Sequence, residues 1–232
     1  MAVDGLISKI EALFKQAANT PYPDEAATFQ AKAQELMTKY QIEEAMLNNR
    51  VLDDELTTFD VMINNPYLVD KAILLNAVAQ NNYCKVVRHP KFARVYGYSN
   101  DIRMVVAMYT ALEIDMINQM WVAFKDKTEY TSTVSWKKSF FGGYANRIHH
   151  RLKTAKKEQF DETSKNNGND EFALVLVKKD KSVEDYYNSN TFALRTTTRT
   201  LTSASGYGAG SSAGNRADIG QSRIGGRAAL SR

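Results

Sequence analysis

The chain has 232 residues, 44% of them hydrophobic, and a net charge of +4. That length suits one large domain or two small ones, and the apolar share excludes wholesale disorder. The charge is segregated: residues 130–157 hold no acid and contribute +7, residues 195–232 hold six Arg against Asp218 and contribute +5, and the remainder carries −8. Such segregation is a footprint of anionic partners, or of positive segments that pair with acidic ones in the same or a neighbouring subunit.

Cys84 is the only cysteine. This excludes a disulfide framework within the chain and a thiolate metal cluster, and it fits a reducing compartment. The start, MAVDGLISKIEALF, has no basic region before its apolar residues. It reads as an amphipathic helix and not as a signal peptide. No apolar run approaches the roughly 18 residues of a membrane span. The expectation is a soluble, cytoplasmic protein with no membrane partner.

Leu6, Ile10, Leu13, Phe14 and Ala17 mark one face of a helix over Leu6–Ala18. Asn19-Thr20-Pro21-Tyr22-Pro23 breaks it, and Pro23 opens a second helix that runs to about Tyr40, with Asp24 and Glu25 in its first turn. The two form an antiparallel hairpin too small to be stable alone, so it must dock on something. Thr57–Ile63 alternates, with Phe59, Val61 and Ile63 on one side, and predicts a strand. Tyr67–Gln80 predicts a helix. Tyr83–His89 and Phe92–Tyr98 predict a hairpin around His89-Pro90-Lys91, and Ser99 or Asn100 caps a long helix through Phe124.

In Thr131–Lys157, Phe140, Tyr144, Ile148 and Leu152 recur every fourth residue, and Phe141 and Ala155 widen the stripe. One face of this helix should bury. The other should show Lys137, Lys138, Arg147, Arg151, Lys153, Lys156 and Lys157, with His149 and His150 beside them. Gly142-Gly143 sits inside the apolar pattern at a cost of roughly 1 kcal/mol per Gly relative to Ala. Either close helix packing or a local break accounts for it. Trp136 and Tyr144 could stack on bases, but they lie close to the apolar stripe, which favours the core.

Lys165–Asp170 reads as a turn, and the apolar run Phe172–Val177 as a central strand. Ser182–Tyr187 reads as a short helix, and the Thr-rich Thr191–Ser203 as an edge strand. From Gly206 onward the composition shifts to Gly, Ser, Ala and Arg, which reads as a mobile or partner-dependent tail carrying Arg216, Arg223 and Arg227.

Several of these stretches together resemble a family of bacterial and phage proteins known only as a domain of unknown function, family 2786. Ile10-x-x-Leu13-Phe14, Glu25-Ala26, and Lys32-Ala33-x-x-Leu36-Met37-x-x-Tyr40 are similar to its helical hairpin. Its usual second module is resembled by Gly97-x-x-x-Asp101, by Ser135-Trp136-Lys137-Lys138-Ser139-Phe140 with Gly143-Tyr144-Ala145, and by Arg147-Ile148 with Arg151-Leu152. It continues through Ala173-Leu174-Val175-Leu176 to Gly214-Asn215-Arg216-Ala217-Asp218-Ile219-Gly220. Family members tend to have Arg where Lys137 and Lys138 stand, and a charged residue where Val106 stands. The resemblance implies no activity. It implies a phage or prophage origin.

No nucleophile elbow and no phosphate-binding Walker loop is present. Gly208-x-Gly210-x-x-Ala213 fits a loose dinucleotide fingerprint but lacks a strand–turn–helix around it. His149 and His150 point about 100° apart on a helix and cannot both hold one metal as an i, i+4 pair does. No catalytic, cofactor or metal residue is assigned. A carboxylate pair assembled by folding is invisible in one sequence.

The sequence therefore predicts an α+β protein. A helical hairpin (1–48) docks on a small sheet flanked by two long helices (52–195), followed by an extended Gly/Ser/Arg-rich tail (196–232). The function it predicts is a non-enzymatic phage or prophage accessory protein that binds DNA or RNA largely nonspecifically. The binding residues are Lys137, Lys138, Arg147, Arg151, Lys153, Lys156, Lys157, Arg216, Arg223 and Arg227. The alternative is a protein that binds itself or a host protein, as a virion component or an inhibitor.

Overall fold

The computed structural model describes residues 2–46, 54–125, 132–167, 170–192, 194, 200–217 and 219. Helix α1 (Ala2–Asn19) and helix α2 (Pro23–Met46) form the expected hairpin. Ile7, Ile10 and Phe14 of α1 and Ala33, Met37 and Tyr40 of α2 are buried in the protein's core. The apolar spacing read from the sequence is what places them there.

Three strands follow: β1 (Leu56–Met62), β2 (Lys85–Arg88) and β3 (Phe92–Tyr98), with helix α3 (Leu68–Asn81) between the first two. The sheet is antiparallel in the order β1-β3-β2, and Phe59 faces Val95 while Asp60 faces Arg94. Val61, Ala93 and Val95 point into the core with Leu74, Leu75 and Val78 of α3. Helix α4 (Ser99–Lys125) follows β3 directly and carries the hairpin, since α1 packs along it. Arg103 of α4 donates to both carboxylate oxygens of Glu11 at 2.9 and 2.8 Å. The hairpin thus reaches the sheet by way of α4.

Helix α5 (Thr133–Asn167) is the long basic helix, and helix α6 (Asp170–Asn190) crosses the outer face of the sheet. Tyr187 packs edge-on against Tyr96 at 5.3 Å, and Glu184 pairs with Lys85. Helix α7 (Ala204–Arg216) lies against α5.

Three expectations are corrected here. Phe172–Val177 is not a central strand; it lies within α6. A continuous apolar run has no period of its own, and the residues that continue it decide the matter. Leu176, Lys179 and Val183 fall at i, i+3 and i+7, and the last two are buried. The described part of Thr191–Ser203 forms no strand; residues 193 and 195–199 lie outside the described residues. The segment from Gly206 is not a tail from its start, since residues 206–216 belong to α7; residues 218 and 220–232 lie outside the described residues. The expected turn at Lys165–Asp170 narrows, because α5 continues through Asn167 and α6 begins at Asp170.

Candidate nucleic-acid interface

Helix α5 is positioned from two sides. On its inner face Phe140, Phe141, Tyr144, Ile148 and Leu152 are buried, and the Tyr144 hydroxyl donates to Asp115 Oδ2 of α4 at 2.6 Å. Burial pushes the Tyr144 hydroxyl well up from its ordinary pKa and raises the Asp115 carboxyl as well.

The second side is a glycine seam. A Cβ on Gly206 would lie 2.5 Å from the Trp136 carbonyl oxygen, on Gly210 1.9 Å from that of Phe140, and on Gly214 2.9 Å from that of Tyr144. Each pair is 70 positions apart, so α7 runs parallel to α5 with matched turns. On the α5 side, a Cβ on Gly143 would lie 2.1 Å from the Tyr207 carbonyl oxygen. Close packing is therefore the reason for the glycine inside the basic helix, which runs unbroken through it. Polar side chains fix the register. Trp136 Nε1 donates to Ser205 Oγ at 3.1 Å, and Asn146 Nδ2 to the Tyr207 hydroxyl at 2.7 Å. Ser203 caps α7 by accepting from the Gly206 N–H at 3.0 Å.

This seam employs two of the expected phosphate ligands. Arg147 donates from Nε and Nη2 to Asn215 Oδ1 at 3.1 and 2.7 Å. Arg151 Nη1 donates to the carbonyl oxygens of Gly214 and Ala217. A guanidinium at the C-terminal end of a helix satisfies terminal carbonyls and complements the helix dipole.

Two lysines are also turned inward. Lys137 is only 7% exposed, and its ammonium lies 3.8 Å from the Trp121 ring centre and 4.5 Å from that of Phe124. Lys156 is half-buried, with Nζ 3.5 Å above the Tyr83 ring. Burial pulls its pKa down to about 8, against the attraction of Asp180 and Asp101.

Lys138, Lys153, Lys157 and Arg216 are exposed, as is His150. His150, Lys153 and Lys157 stand at i, i+3 and i+7, so they form one stripe about 10 Å long. His149 faces inward instead, with Nδ1 3.2 Å from Asn81 Nδ2, and burial holds its pKa below the ordinary imidazole range. Arg223 and Arg227 lie outside the described residues.

Sequence reasoning missed the buried ion pair between Lys179 of α6 and Asp101 of α4, at 2.8 Å. It also missed the seam, although the spacing Gly206-x3-Gly210-x3-Gly214 was there to be seen. Among the described residues, no group of three or more His, Cys, Asp or Glu side chains could hold a metal ion. No described helix is long and apolar enough to cross a membrane.

The chain is thus an α+β protein whose cationic helix is clamped by a glycine-faced helix. Residues 5–44, the α1–α2 hairpin, match the model of a family described as "Protein of unknown function (DUF2786)". No curated protein and no solved structure matches the chain.

Proposed function

We propose that the protein is a non-enzymatic accessory protein of phage or prophage type, working in the cytoplasm, that binds nucleic acid largely without regard to sequence. The observation that carries this reading is the solvent-facing stripe His150–Lys153–Lys157. It sits on a helix that holds no Asp or Glu from its start to Lys157. Cations held at fixed spacing on a rigid helix displace counterions from phosphates, which is the sequence-independent part of binding. Lys138 and Arg216 extend the exposed charge. Arg147 and Arg151 serve this surface indirectly, by holding α7 against α5. The test is the salt dependence of binding to a labelled duplex, with Lys153 and Lys157 replaced by Gln.

A second reading, self-association or docking on a host protein, is favoured by apolar side chains left in solvent. Phe59 and Met62 of β1 are 51% and 67% exposed.

A further inference from the structure

Strand β1 is an edge of the sheet, and among the described residues it pairs only with β3. The Glu55 carbonyl accepts from Ser99 N–H at 3.0 Å, and Ile63 N–H donates to the Lys91 carbonyl at 3.4 Å. The odd-numbered residues therefore aim their main-chain groups at β3. By alternation, Leu56, Thr58, Asp60 and Met62 aim theirs outward.

Edge strands usually carry a lysine, a proline, a bulge or an inward charge that blocks further pairing. Strand β1 has none of these; its seven residues, LTTFDVM, run in unbroken register with β3. Its single charge is neutralised, since Arg94 donates to the two oxygens of Asp60 at 2.6 and 2.7 Å.

We propose that this edge pairs antiparallel with β1 of a second copy of the chain, joining two three-stranded sheets into one. The strand is its own complement in one register. A two-fold axis at Asp60 would set two carboxylates opposite each other, and an axis at Thr58 would set Leu56 against Asp60. An axis at Phe59 sets the two Phe59 rings together, Thr57 against Val61, Thr58 against Asp60, and Leu56 against Met62. Aromatic, β-branched, hydroxyl–carboxylate and apolar pairs are all favourable across strands. The same register makes the outward-aimed even residues the hydrogen-bonded pairs. It leaves Phe59 at a non-hydrogen-bonded pair, where the two Cα atoms lie about 4.5 Å apart.

That separation is within disulfide range, and the chain's own Cys84 is buried, so an introduced thiol has no exposed competitor. Sedimentation of the full chain up to about 100 µM, which reaches the weak end of specific interfaces, should reveal a dimer. Phe59→Cys should form an intermolecular disulfide on mild oxidation. Thr57→Cys, on the same face but about 13 Å from its mate, should not. Phe59→Lys should weaken dimerisation about tenfold or more while leaving the circular dichroism unchanged. A single-chain mass at every concentration overturns the proposal. So does a dimer that survives Phe59→Lys, or one in which the two cysteine variants cross-link alike.

Discussion

Gly210 of α7 approaches Phe140 of α5 so closely that a Cβ there would sit 1.9 Å from the Phe140 carbonyl oxygen. A backbone atom cannot swing aside as a side chain does, so an added methyl must push the helices apart. Gly210→Ala should therefore destabilise the protein by at least about 2 kcal/mol in urea unfolding. Gly208 provides the control, because nothing lies within 4 Å of where its Cβ would be. Gly208→Ala should stabilise by about 0.5–1 kcal/mol, since alanine is the better helix former. Equal effects of the two substitutions would mean that α7 does not dock through its glycines.

The Arg151 guanidinium ties α5 to the end of α7 through the Gly214 and Ala217 carbonyls. Arg151→Met keeps the aliphatic stem and removes those bonds. It should cost about 1.5–3 kcal/mol, and hydrogen exchange should speed up in the last turn of α7 before it does in α1. Uniform acceleration throughout the chain would contradict the local clamp.

Lys179 is 8% exposed and Asp101 fully buried, with 2.8 Å between them. Removing one partner of such a pair leaves the other charge in a poorly solvated place. Lys179→Met should cost about 3–5 kcal/mol. Adding Asp101→Asn to that variant should restore part of the loss, as a double-mutant cycle would measure. A double variant less stable than Lys179→Met alone would show that Asp101 does more for α4 than meet this lysine.

Lys156 gives a pH signature. Its pKa falls from 10.5 unfolded to about 8 folded. Between these values the unfolded chain binds more protons, so this group's contribution to stability rises with pH through that window. Below pH 8 both states are protonated and the full burial penalty applies. Lys156→Met should therefore gain most over the parent protein below about pH 8, and the gain should shrink toward about pH 10.5. A difference independent of pH would place the ammonium in water.

The hairpin, β1, β3 and α4 were legible because caps, proline and strict periodicity all agreed on them. Phe172–Val177 was not, because an apolar run alone fits a strand and a buried helix equally. Helix α7 was hidden by composition: a Gly/Ser-rich peptide is a poor helix former by itself, and its helicity rests on packing against α5 and α4. The inward turn of Lys137 was in principle readable, since it stands at i−4 and i−7 from buried Phe141 and Tyr144. No spacing could reveal that its ammonium would find two aromatic rings, because Trp121 and Phe124 belong to another helix. The Asp101–Lys179 pair was equally hidden, because its partners are brought together only by the crossing of α6 over the sheet.

The most direct test of the account is the slope of log affinity against log salt for a fluorescent DNA duplex. Phosphate contacts from Lys153 and Lys157 contribute about −1.8 to that slope, so replacing both lysines by Gln should flatten it by about 2 units. No measurable binding at low salt, or a slope indifferent to those two replacements, would contradict it.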